Sequence, residues 1–209
     1  MREIYPGIYT WSWLSLKHGY NFNGYALKGE DGLIVIDPAL VREEELNDIL
    51  EIGEPRHIIL TNKDHERMAY EIRDRCSAEI YINELDSSLL KSPADHTFRD
   101  RDTLPGNLKV ITIPNNKSPG ESALLLSEGK GVLFIGDAII GWPKGEFSLL
   151  PMEKYQNSQM AKESISVLLD FDYDAVLVGD GESILEDGKG AIKRFLIRKD
   201  NVYLALPVQ

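Results

Sequence analysis

Short apolar runs and turn signals dominate the first third of the chain. Strand-like runs cover residues 7–14 and 23–28, and the sequence Glu-Asp-Gly at 30–32 is typical of a tight turn. Residues 23–37 are therefore predicted to form a hairpin. Its second arm, residues 33–36, is uniformly apolar, as expected for a strand buried on both faces.

The next segments alternate between helical and strand-like patterns. Apolar residues at helical spacing predict helices over 43–52 and 66–75. Apolar runs predict strands over 57–60 and 79–83. This β-α-β-α-β series indicates a layered α/β arrangement rather than an all-β domain.

The second half begins with three strands in quick succession and ends in helices. The strands are predicted over 109–114, 122–127 and 131–135, and a long helix over 153–169 follows them. One more strand (174–178) and one more helix (190–197) complete the pattern. Two β-rich halves, each closed by helices, predict two packed sheets with helices outside.

Composition and charge narrow the partners and the compartment. The 209 residues include 34 acidic and 23 basic side chains, and the net charge of −11 argues against nucleic acid as a partner. Cys76 is the lone cysteine, which excludes an internal disulfide or a cysteine-cluster metal site. No run reaches the ~20 apolar residues of a membrane span. Because residues 1–7 also lack signal-peptide features, we expect a cytoplasmic protein with no membrane contact.

Four aspartates each stand just beyond the carboxyl end of an apolar run. They are Asp37, Asp64, Asp137 and Asp180, and glycines adjoin the last two. Ligands gather at the carboxyl ends of strands in layered α/β folds. Any one of these aspartates alone would be read as a turn residue, but four together favour a shared site.

Several motifs in this order resemble the metallo-β-lactamase superfamily. Residues 58–65 (IILTNKDH) resemble its strand followed by H-x-H-x-D-H, and residues 117–121 (KSPGE) its H-[ST]-P-G motif. Residues 132–137 resemble the strand that ends in the bridging aspartate, and 177–181 the final G-H-G. The resemblance implies a four-layer αββα sandwich of the α/β class, formed by a single domain over residues 1–209.

Members of this superfamily typically bind two metal ions, and the resemblance implies that only one ion's ligands remain here. The histidines of the first ion fall on Leu60, Asn62 and Lys117, of which none is a good ligand. The second ion's ligands fall on residues able to bind metal: Asp64, His65, Asp137 and Asp180. Oxygen and imidazole ligands suit one divalent Zn, Mn or Fe ion, and the absence of any metal stays open. The predicted supporting residues of the pocket are Asp37, Asn62 and Trp142.

Lys117 admits two interpretations. Its ammonium could offset the charge of the carboxylates where the first ion would lie and stabilise a developing oxyanion. Alternatively, it pairs with Asp137 in a pocket that holds no metal, because clustered carboxylates need some cation. In the first interpretation, Asp64 is the residue expected to orient or deprotonate a water molecule.

Two functions follow from these alternatives. One is a metal-dependent hydrolase of an ester, thioester, amide or phosphoester, and the other is a non-catalytic protein that keeps the fold and binds a ligand. Both imply a small-molecule substrate or ligand. The apolar segments 11–14 and 202–206 are compatible with a homodimer and equally with core packing.

Overall fold

Four strands of the two β-sheets are buried on both faces. The computed structural model describes residues 1–198, and every residue of β4, β10, β11 and β12 is buried in it. The first sheet has seven strands in sequence order, and β4, β5, β6 and β7 run parallel to one another. They are β1 (Arg2–Tyr5), β2 (Ile8–Ser15), β3 (Tyr20–Lys28), β4 (Leu33–Ile36), β5 (Pro55–Ile59), β6 (Glu79–Asn83) and β7 (His96–Phe98).

The second sheet has five strands in the order β12-β11-β10-β9-β8. Only β11 and β12 are parallel neighbours among them, and the other pairs are antiparallel. The strands are β8 (Thr103–Leu104), β9 (Leu108–Thr112), β10 (Ser122–Leu126), β11 (Val132–Ile135) and β12 (Ala175–Val178).

Helices cover the outer face of each sheet. α1 (Glu43–Ile52) and α2 (Ala69–Cys76) pack on the first sheet, and α3 (Ser158–Ser164) and α4 (Gly188–Ile197) pack on the second. A third apolar cluster fills the space between the sheets. The predicted αββα sandwich is confirmed. Within residues 1–198, no helix is long and apolar enough to cross a bilayer.

The long helix predicted over residues 153–169 is wrong in its continuity. The segment consists of a 3₁₀ turn (Met152–Lys154), α3 and a second 3₁₀ helix (Ile165–Asp170). The Asn157 side chain accepts a hydrogen bond from the Met160 amide and so begins α3 after the first turn. Ile165 and Leu168 are buried in this 3₁₀ helix, as they would be in an α-helix. The spacing of apolar residues alone therefore could not distinguish the two helix types. The strand-like run at 202–206 lies outside the described residues.

The parallel pairs bring the strand ends of both sheets to one edge. Ile36 of β4 is opposite Ile59 of β5, and Ile135 of β11 is opposite Val178 of β12. An isolated bridge between Phe22 and Asp180 joins the two sheets at this edge. The aspartates that follow β4, β11 and β12 therefore meet in one place.

Candidate metal centre

A buried histidine links the two sheets at this edge. His65 ends a short 3₁₀ helix after β5, and its Nδ1 lies 2.9 Å from Oδ2 of Asp37. Its Nε2 lies 3.2 Å from Oδ1 of Asp137. Thr61 fixes Asp37 by donating from its amide (2.8 Å) and from its hydroxyl (2.6 Å). Asp37 thereby holds the imidazole in one orientation, as carboxylates behind metal-binding histidines do.

The carboxylates on both sides favour the charged imidazole. Burial alone would lower the pKa of His65, but Asp37 and Asp137 outweigh it and raise this pKa to about 10. Burial likewise opposes ionisation of Asp137, whereas His65 and Lys117 hold its pKa far below the ordinary value. In the protein without metal, this group is an ion cluster rather than a neutral network.

Lys117 bridges two of the predicted site carboxylates. Its Nζ lies 2.6 Å from Oδ2 of Asp137 and 2.9 Å from Oδ2 of Asp64. Asp137 thus directs one oxygen to His65 and the other to Lys117. The second oxygen of Asp64 is 2.9 Å from Nζ of Lys63. Burial raises the pKa of Asp64, but the hydrogen bonds from both lysines outweigh it and lower this pKa overall.

The fourth strand-end aspartate has a partner that the sequence did not indicate. Arg67 lies two residues after His65, and its guanidinium is 2.9 Å from Oδ1 of Asp180. The guanidinium also stacks 4.3 Å from the centre of the Phe22 ring. Burial, followed by the charge of Asp137, raises the pKa of Asp180 to about 6, and Arg67 opposes this rise.

Three buried residues at this edge could hold a metal ion. His65, Asp137 and Asp180 each offer a ligand atom, and these atoms lie within 4.8 Å of one another. Among residues 1–198 this is the one such group, and it does not include Asp64. An imidazole and two carboxylates fit one divalent ion by donor chemistry.

Glycines leave the room that this cluster needs. A Cβ at Gly179 would lie 2.5 Å from Cε1 of His65. A Cβ at Gly136 would lie 2.3 Å from Oγ1 of Thr61. The glycine before each of Asp137 and Asp180 therefore permits the close approach of the His65 segment.

The residues that the resemblance assigned to a first metal ion are not part of this group. Leu60 is fully buried in the apolar cluster between the first sheet and its helices. Oδ1 of Asn62 accepts a hydrogen bond from the Asp64 amide (2.9 Å), and its Nδ2 donates to Glu121 (3.4 Å). The side chain of Asn62 thus supports the turn before His65.

Two buried carboxyl groups behind the site were missed by the sequence reasoning. Asp86 accepts hydrogen bonds from the amides of Lys63 (2.9 Å) and Gly120 (2.8 Å) and from the Ser118 hydroxyl. It thereby ties the segment before His65 to the segment after Lys117. Glu121 is fully buried, and burial followed by the charge of Asp137 raises its pKa well above the ordinary value. Glu121 directly precedes β10, so strand ends gave no signal for it, whereas Asp86 lies three residues after β6 and was overlooked.

A cavity of about 430 Å³ opens onto the cluster. Asp64, His65, Lys117, Asp137 and Asp180 all line it, together with Arg67. Its outer wall comes from the turn between β2 and β3, from the start of β3 and from the segment between β11 and α3; the residues are Lys17, His18, Tyr20, Phe22, Leu150, Pro151 and Lys154. Trp142, from the same segment, is 42% exposed and does not line it.

Comparisons with known proteins agree with this architecture. A family model described as the metallo-beta-lactamase superfamily matches residues 1–198. The chain belongs to the metallo-β-lactamase superfamily. No curated protein matches the sequence.

Solved structures of metallo-β-lactamases share the fold. The DIM-1 metallo-β-lactamase has a TM-score of 0.75 at 17% identity, and the alignment covers 93% of each chain. The metallo-β-lactamase from Pontibacter korlensis has a TM-score of 0.74 at 16% identity, covering 93% of this chain and 95% of that one. TTHA1623, described in a di-iron-bound form, has a TM-score of 0.68 at 20% identity, covering 88% and 98%. At these identities the superfamily members show the fold, not the substrate.

Proposed function

We propose that the protein is a metal-dependent hydrolase that uses one divalent ion, held by His65, Asp137 and Asp180. The observation that carries this proposal is that the two oxygens of the Asp137 carboxylate face two different cationic side chains. Its Oδ1 faces His65 at 3.2 Å, and its Oδ2 faces Lys117 at 2.6 Å. A carboxylate that bridges two cations in the superfamily would here bridge one metal ion and one ammonium.

The residues around the ion site have complementary roles in this proposal. A divalent ion acts as a Lewis acid on a carbonyl or phosphoryl oxygen. The Lys117 ammonium faces the same cavity and stabilises negative charge that develops on the substrate oxygen. Asp64 is ionised and lines the cavity, so it can accept a hydrogen bond from water and orient it for attack.

The donor set bears on the metal and on the bond that is cleaved. One imidazole and two carboxylates are compatible with Zn, Mn or Fe, and a solved structure of similar fold is described with iron. The cavity volume of about 430 Å³ suits a small molecule. Esters, thioesters, amides and phosphoesters are the substrate classes for such a centre.

Metal analysis of the protein purified without chelator tests this proposal. We expect about one equivalent of Zn, Mn or Fe in the wild type, together with turnover of aryl ester or phosphoester substrates. Asp137→Ala should lose both the metal and the turnover. Asp170→Ala is the matched control, because Asp170 is exposed and does not line the cavity. Unchanged turnover in Asp137→Ala would overturn the proposal.

A second function, a metal-free binding protein, is favoured by one specific observation. Each carboxylate of the cluster has a cationic partner from the protein itself. The pairs are Asp37 with His65, Asp64 with Lys63, Asp137 with Lys117 and Asp180 with Arg67. Failure to take up Zn, Mn or Fe under any loading condition, with no turnover, would support this function instead.

A further inference from the structure

The mouth of the cavity carries positive charge in a strongly acidic protein. The chain has a net charge of −11, yet four lysine or arginine side chains and three aspartates line this cavity. Lys17 belongs to the turn between β2 and β3, and Lys154 to the 3₁₀ turn Met152–Lys154. Both are exposed at the rim, and neither has an ion-pair partner within residues 1–198.

The aspartates of the cavity do not neutralise this rim. Asp64 and Asp137 are held by Lys117, and Asp180 is held by Arg67. Three lysines of this cavity also affect the imidazole of His18. Burial is the largest cause that lowers the pKa of His18, and the charges of Lys17, Lys154 and Lys117 lower it further.

Aromatic and apolar groups lie beneath the rim. The His18 ring is 5.4 Å from the ring of Phe22 and 5.7 Å from that of Tyr20. Leu150 and Pro151 also line this cavity. A ligand in this cavity therefore meets aromatic and apolar groups as well as the charged cluster of His65, Asp137 and Asp180.

We propose that this cavity accepts small molecules that carry an anionic group, which Lys17 and Lys154 bind at the rim while an apolar part packs on Tyr20 and Phe22. This specificity rests on the proposed function, since it names the substrate class of the same centre. Carboxylate and phosphate groups share the required chemistry, because both accept hydrogen bonds from ammonium groups and are negatively charged near pH 7.

The expected contribution of each lysine is modest. An exposed charge pair changes an affinity by up to about fivefold, and added salt weakens this effect. Reversal of both charges replaces attraction by repulsion, so a larger change of about tenfold or more is expected.

A binding measurement tests this proposal without relying on turnover. The probes are benzoate, phenyl phosphate and the neutral benzamide, titrated into the protein as purified and followed by ligand-observed NMR. The test variant is Lys17→Glu/Lys154→Glu. The matched control, Lys28→Glu/Lys193→Glu, makes the same change in net charge at two exposed lysines that do not line this cavity. Equal melting temperatures establish that both variants are folded.

We expect the wild type to bind an anionic probe more tightly than benzamide, and the test variant to lose this preference while the control keeps it. A preference for phenyl phosphate over benzoate would assign the phosphate source, and the reverse would assign the carboxylate. Equal binding of benzamide and both anions, or an unchanged preference in the test variant, would overturn this proposal. If the protein contained no metal and showed no turnover, the proposed hydrolase would be refuted. The binding measurement would still test the preference for anionic probes.

Discussion

Nζ of Lys117 lies 2.6 Å from Oδ2 of Asp137, while Oδ1 of the same carboxylate faces His65. An ammonium neutralises one charge of the cluster without occupying the ligand atoms of His65 and Asp180. The lysine therefore competes with a metal ion for the charge of Asp137 but not for the same oxygen.

Replacement of this lysine should strengthen metal binding and weaken turnover. Lys117→Met keeps much of the side-chain volume and removes a positive charge beside Asp137, so the affinity for a divalent ion should rise about tenfold or more. Turnover should fall, because the ammonium no longer stabilises the substrate oxygen. Competition with a chromogenic chelator measures the affinity. Lys63→Met is the control, since Lys63 pairs with Asp64 alone, and equal affinities in all three proteins would contradict the prediction.

The stability of the chelator-treated protein should fall as pH rises above neutrality. The folded-state pKa of His65 is about 10 against an ordinary 6.5, so the folded protein holds a proton that the unfolded chain releases in this interval. The stabilisation is fully present below the ordinary pKa of histidine and is lost as pH rises toward the folded-state pKa, by up to about 1.4 kcal/mol per pH unit. Urea unfolding between about pH 7 and pH 9 measures it. His65→Gln should flatten this dependence, and a wild-type stability that is constant over the interval would refute it.

Metal binding should release a proton from His65. The imidazole must lose its Nε2 proton to bind an ion, and its pKa of about 10 keeps that proton in place near neutrality. The apparent affinity should therefore increase about tenfold per pH unit below that value. Calorimetry in two buffers that differ in ionisation enthalpy counts the protons released. A binding enthalpy that does not depend on the buffer would contradict the prediction.

The pair formed by Arg67 and Asp180 should show strong coupling. Their side chains are 13% and 6% exposed, so removal of one partner leaves the other charge almost buried. Arg67→Met should reduce the free energy of unfolding by about 2–3 kcal/mol. Arg67→Met/Asp180→Asn should recover part of this loss in a double-mutant cycle, measured by urea unfolding. Additive effects of the two substitutions would show that the pair is not coupled.

The glycine before Asp180 should be required for metal binding. In Gly179→Ala, the new Cβ would lie 2.5 Å from Cε1 of His65, so the imidazole has to shift. We expect metal content to fall while the sandwich remains folded, as measured by metal analysis and circular dichroism. Gly53→Ala is the control. Its new Cβ would lie 3.2 Å from a Leu33 side-chain atom at the start of β4, and neither residue lines the cavity. Full metal content in Gly179→Ala would refute the requirement.

The strand ends were predictable from sequence, whereas the partners at those ends were not. Asp37, Asp137 and Asp180 each follow an apolar run, and parallel neighbours must end at a common edge. The contact of Arg67 with Asp180 joins residues that are 113 positions apart, and no local pattern encodes it. The same is true of the cavity wall near His18, which lies in the turn between β2 and β3, outside the hairpin predicted over residues 23–37.

The hydrogen bonds of Asp86 connect two segments at the cavity more firmly than the turn at residues 16–19 is connected. Asp86 joins the segments before His65 and after Lys117 through three hydrogen bonds, so a displacement of one segment relative to the other has to break them. The turn at residues 16–19 is attached differently, because His18 and Gly19 donate their backbone hydrogen bonds to the Ser15 carbonyl within the same hairpin. A displacement of this turn would therefore break none of the hydrogen bonds to Asp86 and none of the ion pairs of His65, Lys117 and Arg67.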